Sequence, residues 1–218
     1  MADNSRKLTN RSKEGERTLF VALLLSAPGP AIISYASFAS GSAAQLADFL
    51  RRTSELVATF ISWLMYHKLR TSNQQSEKFQ RQQERITNYT VAIAMSISGI
   101  ALIVVGIYRL FSTSQSEKTI LGLVIAFLGL VVNTWFWQKY RSMNLRQPDP
   151  VIAAQQRLYR GKASVDICIV IALAAVTLAP TWSGTRLIDA FGSIVVAFYL
   201  LYNGIELFRK INQITEKH

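Results

Sequence analysis

The sequence predicts an all-α membrane protein of six transmembrane helices with both termini in the cytoplasm. Half of its 218 residues are hydrophobic and only 17% are charged. Asp, Glu, Lys and Arg are absent from four long runs, 18–47, 86–108, 119–138 and 167–185. These runs approach or exceed the ~20 residues that a helix needs to cross a bilayer. Two further segments, 42–66 and 187–208, have a charged end but an apolar body.

The first predicted span runs from Thr18 to Phe38. Pro28-Gly29-Pro30 lies in its middle and predicts a break, because proline lacks a backbone donor and clashes with the preceding turn. Broken backbone at that depth is tolerated where it packs in protein or lines a cavity; the simpler alternative is a kink. Ser42 is suited to cap the second span.

The third and fourth spans form a predicted hairpin, and the third is expected to begin as a helical extension of the loop 67–85. Asp149-Pro150 predicts the start of the fifth helix, since Asp caps helices and Pro favours the first helical position. This helix is expected to end near Ala179.

Basic residues settle the predicted orientation. They crowd the N-terminal tail, the loops after the second and fourth spans and the C-terminal tail, while the opposite side carries only Arg109, Lys118 and Arg186. The positive-inside rule then places both termini in the cytoplasm. We expect a mobile cytoplasmic tail at 1–17, a membrane domain at 18–210 and a short tail at 211–218 with no C-terminal cytoplasmic domain. The expected location is the plasma (inner) membrane, with several passes.

Composition also excludes several classes of function. The net charge of +11 sits in membrane-flanking loops without interleaved aromatic residues, so it predicts contact with anionic lipids and no nucleic-acid binding. Cys168 is the single cysteine, which excludes an intrachain disulfide. The only histidines are His67, at a membrane edge, and His218. We therefore expect neither an enzyme nor a bound cofactor.

Four charged residues lie where a membrane helix should be apolar. Arg51 precedes Glu55 by four residues, and Lys162 precedes Asp166 by four, so each pair shares a helix face. Lys162 lies about 18 Å from the start of its helix and Arg51 about 13 Å from the outer end of its own. Because the two spans run in opposite directions, the pairs should converge near mid-membrane, where charges usually serve a function.

At these residues the chain resembles the cation diffusion facilitator family of divalent-metal transporters. Residues 41–48, which end in Asp48, are similar to the family's Gly-Ser-x-Ala-x-x-Ala-Asp segment on the second span. Glu84, Asn133 and Asp189 also fall where the family tends to place such residues. The resemblance covers roughly 18–210 and implies a cation-efflux-like six-helix bundle.

The resemblance also implies where the chain departs from the family. Two pairs of His or Asp on the second and fifth spans form the family's metal site, and here the first position of each pair is Arg51 or Lys162. Arginine has no lone pair to offer a metal. Glu55 and Asp166, at the second positions, remain plausible oxygen ligands for a divalent cation carried as substrate.

Three interpretations follow from the sequence. The first is a cation transporter, open to proton coupling, whose site comprises Asp48, Arg51, Glu55, Lys162 and Asp166, supported by Asn133, Asp189 and Glu84. The second is a non-transporting relative, a structural or partner subunit in which the charges are a buried ion-pair staple. The third is an unrelated six-span protein. Membrane lipids are expected partners in each case, and a homodimer remains open.

Overall fold

The computed structural model describes residues 2–31, 34, 43–71, 77–111, 119–178 and 184–216. Within these residues the chain is all-helical and forms six long helices. They are α1 (Ala2–Ser26), α2 (Ala43–Thr71), α3 (Glu77–Phe111), α4 (Thr119–Arg146), α5 (Pro150–Leu178) and α6 (Gly184–Glu216). The expected cap at Ser42 lies outside the described residues.

The first helix differs in one respect from the sequence prediction. The predicted break is confirmed, since α1 ends at Ser26 and a separate helical turn covers 28–31. α1 already begins at Ala2, so the expected N-terminal tail is helical, and its mobility stays a prediction. Two acids contact neighbouring helices: Glu14 pairs with Lys139 of α4, and Glu16 lies 2.6 Å from His67 of α2.

The start of α5 confirms the predicted cap. Asp149 Oδ1 accepts backbone hydrogen bonds from Val151 at 2.9 Å and Ile152 at 3.0 Å, and Pro150 is the first residue of the helix. Burial raises the pKa of the Asp149 carboxyl above its ordinary value, and the two hydrogen bonds oppose that shift. The helix ends one residue before the expected Ala179.

Small residues let the helices approach closely. The most extensive contact is between α3 and α6, followed by the contacts of α4 with α5 and of α2 with α3. A Cβ added at Gly99 would lie 2.7 Å from Leu201 Cγ and 3.0 Å from the Ala197 carbonyl oxygen, both on α6. Glycine there allows the two backbones to pack more tightly than any side chain would permit.

The outer surface of the bundle is apolar. On α6, Phe191, Phe198 and Tyr202 are each more than 60% exposed. Exposed apolar surface on this scale is typical of a membrane-facing protein. Two segments in the described residues, Arg81–Tyr108 and Phe191–Ile211, are long and apolar enough to cross a membrane. Among the described residues, the other predicted spans do not meet this criterion. They include α2 and α5, which carry the charged pairs.

We expect Gly99→Ala to be less stable than Gly129→Ala by about 1–3 kcal/mol, the usual cost of overpacking a core. Both changes add the same methyl group within a helix, so their gain in helix propensity cancels. The Cβ added at Gly129 would meet its nearest neighbour, Asp166 Oδ2, at an ordinary 3.7 Å. Thermal unfolding in detergent measures the difference, and equal melting temperatures would contradict tight α3–α6 packing.

Candidate functional site

Glu55 on α2 is the centre of the charged cluster. Arg51 Nη1 lies 3.3 Å from Glu55 Oε1, and the Ser98 hydroxyl of α3 donates to the same oxygen at 3.0 Å. Lys162 Nζ of α5 lies 3.7 Å from Glu55 Oε2. The side chains of Arg51, Glu55 and Lys162 are each less than 10% exposed. One carboxylate therefore joins three helices in the interior.

The pairing within this cluster corrects one sequence expectation. Lys162 forms its ion pair with Glu55, across the α2–α5 interface, and not with Asp166 on its own helix. Its ammonium also lies 4.6 Å from the centre of the Tyr159 ring, a cation–π contact. Asp166 instead accepts a hydrogen bond from Asn133 Nδ2 of α4 at 2.6 Å. Among the described residues, no base lies within ion-pair distance of Asp166.

Asp48 anchors the bases on the other side of the cluster. Its Oδ1 accepts from Arg51 Nη2 at 2.8 Å and from Arg51 Nε at 3.0 Å. Its Oδ2 accepts from Arg52 Nε at 2.9 Å. Two donors of one guanidinium fix its orientation more firmly than a single contact would. Arg51 is thus held between Asp48 and Glu55, each about one helical turn away.

A cavity of about 270 Å³ opens beside the cluster. Its charged lining comprises Arg51, Arg52, Glu55, Lys162 and Asp166. The break after α1 contributes Ser26, Gly29 and Pro30 to the wall, and the Ser26 hydroxyl lies 3.3 Å from the Tyr159 hydroxyl. The broken backbone thus lines a cavity, as one of the two sequence alternatives predicts.

The supporting residues divide into two groups. Asn133 lies in the site, where it holds Asp166. Glu84 lies outside it, because it is fourteen residues, or about 21 Å, along α3 from Ser98. Asp189 belongs to α6, but its side chain lies outside the described residues.

Sequence reasoning missed two residues of the site. Arg52 follows Arg51 directly and was visible as a second base at the same depth. Ser98 is a hydroxyl within an apolar span, where such residues are common on helix–helix contacts. Neither residue type by itself indicates which helix it contacts.

The described side chains of the site differ from the ligand set of a conventional divalent-metal site. In the part of the chain that the structure describes, no three side chains of His, Cys, Asp or Glu converge. A tetrahedral metal site requires four deprotonated N, O or S ligands. Here Glu55 is engaged by two bases, so Asp166 is the acid that faces the cavity without one.

Comparison with known families assigns the chain to a class. The sequence matches the family model of the cation efflux transmembrane domain over residues 19–213. The chain therefore belongs to the cation efflux family and is a membrane protein built as a helical bundle. A search of curated proteins found no match.

We expect Glu55→Leu to destabilise the protein by about 3–5 kcal/mol, because it leaves the buried Lys162 without its acid and Arg51 with Asp48 alone. Adding Lys162→Met to Glu55→Leu should recover much of this loss. Thermal unfolding in detergent provides the measurement.

Asp166→Leu is the matched control for the partner of Lys162. The double variant Lys162→Met/Asp166→Leu should be no more stable than Lys162→Met alone, since Lys162 contacts Glu55 and not Asp166. The observed ion pair would be contradicted if this double variant recovered stability while Glu55→Leu/Lys162→Met did not.

Proposed function

We propose that this protein is a cation transporter whose cargo binds in the cavity between α2, α4 and α5. The observation that carries the proposal is the position of Asp166. Its carboxylate is held by Asn133 and lines a cavity of about 270 Å³, whose wall also includes Glu55. Membership of the cation efflux family supports the same class of function. The cation is cargo, so the proposal requires neither a cofactor nor catalysis.

The charges of the site favour a monovalent cation over a divalent one. A cation that approaches Glu55 also approaches Arg51 and Lys162. At an effective dielectric constant near 20, two like unit charges ~4 Å apart cost about 4 kcal/mol, and a dication doubles that cost for each base. The bases therefore act as tethered internal cations that compete with the cargo. When cargo binds, the Lys162 ammonium is released from Glu55, and this release rearranges the α2–α5 contact. If the released ammonium of Lys162 also lost a proton, transport would be an exchange of the cation for a proton.

The proposed topology has six spans, both termini in the cytoplasm and a plasma-membrane location. The concentration of basic residues at one end of the bundle supports this orientation. Members of the family are often dimeric, so a homodimer is the proposed assembly. Anionic lipids are the expected neighbours of the basic loops.

A second candidate function is a non-transporting subunit in which the cluster is a structural staple. The observation that favours it is the saturation of Glu55 by Arg51, Lys162 and Ser98. In that case the cluster specifies how three helices pack and no cation exchanges with it. Buried ion pairs can serve conformational specificity in this way.

Transport by purified protein in liposomes separates the two functions. We expect the wild type to move rubidium or sodium ions faster than protein-free liposomes, and Asp166→Asn to abolish this flux because it removes the charge that faces the cavity. Asp149→Asn is the matched control, since Asp149 caps α5 outside the cavity and Asn caps helices equally well. Wild-type flux at the protein-free level would exclude transport of these ions and favour the staple.

Zinc binding tests the role of the two bases. We expect little zinc binding by the wild type, because Arg51 and Lys162 lie beside the acids of the site and repel a dication. Arg51→His combined with Lys162→Asp supplies nitrogen and oxygen ligands in their place and should raise the affinity for zinc. Calorimetry on detergent-purified protein measures both. Micromolar or tighter binding by the wild type that is lost in Glu55→Ala would overturn this interpretation of the cluster.

A further inference from the structure

A second polar contact crosses the interface between α2 and α5. Gln155 Nε2 donates to Ser62 Oγ at 2.7 Å, and both residues are fully buried. Ser62 lies seven residues after Glu55, and Gln155 lies seven residues before Lys162. The two helices are antiparallel, so this contact and the Glu55–Lys162 pair are two levels of one interface, about 10 Å apart. The buried Thr59 hydroxyl lies between the levels and donates to the Glu55 carbonyl at 2.9 Å.

The second level has an unsatisfied acceptor. Gln155 Oε1 is buried and has no hydrogen-bond partner in the described residues. The Ser62 hydroxyl is already committed as a donor to the Ala58 carbonyl at 2.8 Å. A buried amide oxygen without a donor is unfavourable, and internal waters usually satisfy such groups.

Two more unpartnered oxygens continue this line along α3. Thr87 Oγ1 and Gln83 Oε1 have no partner in the described residues, and the two side chains are at most 4% exposed. They share a helix face with Ser98, which donates to Glu55. Thr87 lies eleven residues before Ser98, or about 16 Å along α3. Because α3 is antiparallel to α2, Thr87 and Gln83 lie beyond the level of Ser62, toward the end of the bundle where α2 ends.

We propose that a file of internal waters runs between α2, α3 and α5 from this end of the bundle to Glu55. Gln83, Thr87 and Gln155 supply its acceptors, and Ser62 and Thr59 line it near the charged cluster. None of these five residues lines the 270 Å³ cavity, which lies toward the start of α2, beside Arg51 and Arg52. Glu55 therefore has one approach from each direction along α2. The use of the file as a cargo approach rests on the proposed transport function, whereas its existence does not.

Radiolytic hydroxyl-radical labelling of the full-length protein in detergent tests for the file, because internal waters generate radicals beside the side chains that they touch. Val91 and Leu158 are the reporters, since both are at most 2% exposed and lie on the faces of α3 and α5 that carry Thr87 and Gln155. Leu200 of α6, 3% exposed in the same apolar cluster, is the dry reference. We expect oxidation of Val91 and Leu158 but not of Leu200.

Two isosteric or near-isosteric variants connect this labelling to the file. Thr87→Val and Gln155→Met remove acceptors and should abolish labelling of Val91 and Leu158. Thr90→Val and Gln156→Met are the matched controls. The Thr90 hydroxyl bonds to its own helix at the Ile86 carbonyl, and Gln156 is a half-buried residue that accepts from Asn144. Both controls should label as the wild type does.

Two outcomes would overturn the proposal or a part of it. If Val91 and Leu158 of the wild type are oxidised no more than Leu200, the interface is dry. A higher melting temperature of Thr87→Val would agree with that result, because removal of an unsatisfied hydroxyl from a dry core is stabilising. Rubidium flux that is unchanged in Gln155→Met would show that the file is not a cargo approach. A wild type without any flux overturns the proposed function, and the labelling alone then decides whether the file exists.

Discussion

The Glu55 carboxylate, shared between Arg51, Lys162 and Ser98, is the interaction on which the interior of this bundle depends. Charged side chains inside a membrane protein are costly unless they pair with one another or face water. Here Lys162 and Ser98 reach Glu55 from neighbouring helices, so these contacts fix the rotation and depth of α2, α3 and α5 relative to one another. The outer surface can then remain apolar, as the exposed aromatic side chains of α6 show.

The same interaction shapes what the site can bind. The family resemblance places metal ligands where this chain has Arg51 and Lys162, and these bases neutralise Glu55 from within. Asp166 is left at the cavity wall with Asn133 as its only hydrogen-bond partner among the described residues. Under the proposed transport function, a site of this kind favours a cargo of low charge, because each added unit of positive charge meets the two bases again. The proposal thus attributes cargo preference to Arg51 and Lys162.

The helices and their ends were largely predictable from sequence, whereas the pairing inside the site was not. Runs without charge, Asp149-Pro150 and Pro28-Gly29-Pro30 act locally, so α5 begins at the predicted residue and α1 ends beside the predicted break. Spacing along one helix suggested a contact between Lys162 and Asp166, but side chains several bonds long reach neighbouring helices as readily as their own. In the structure Asn133 of α4 binds Asp166, and Glu55 of α2 binds Lys162. These partners depend on how α4 and α2 pack against α5, which spacing along α5 does not reveal.

The position of a bound monovalent cation tests the central claim most directly. Thallium scatters X-rays anomalously, so a structure of the protein in a thallium salt would locate the ion. We expect an anomalous peak in the cavity beside Asp166 and Asn133, with Lys162 farther from Glu55 than the 3.7 Å of this structure. The absence of a peak at saturating thallium, with the Lys162–Glu55 distance unchanged, would contradict a cation site and leave the cluster as a structural staple.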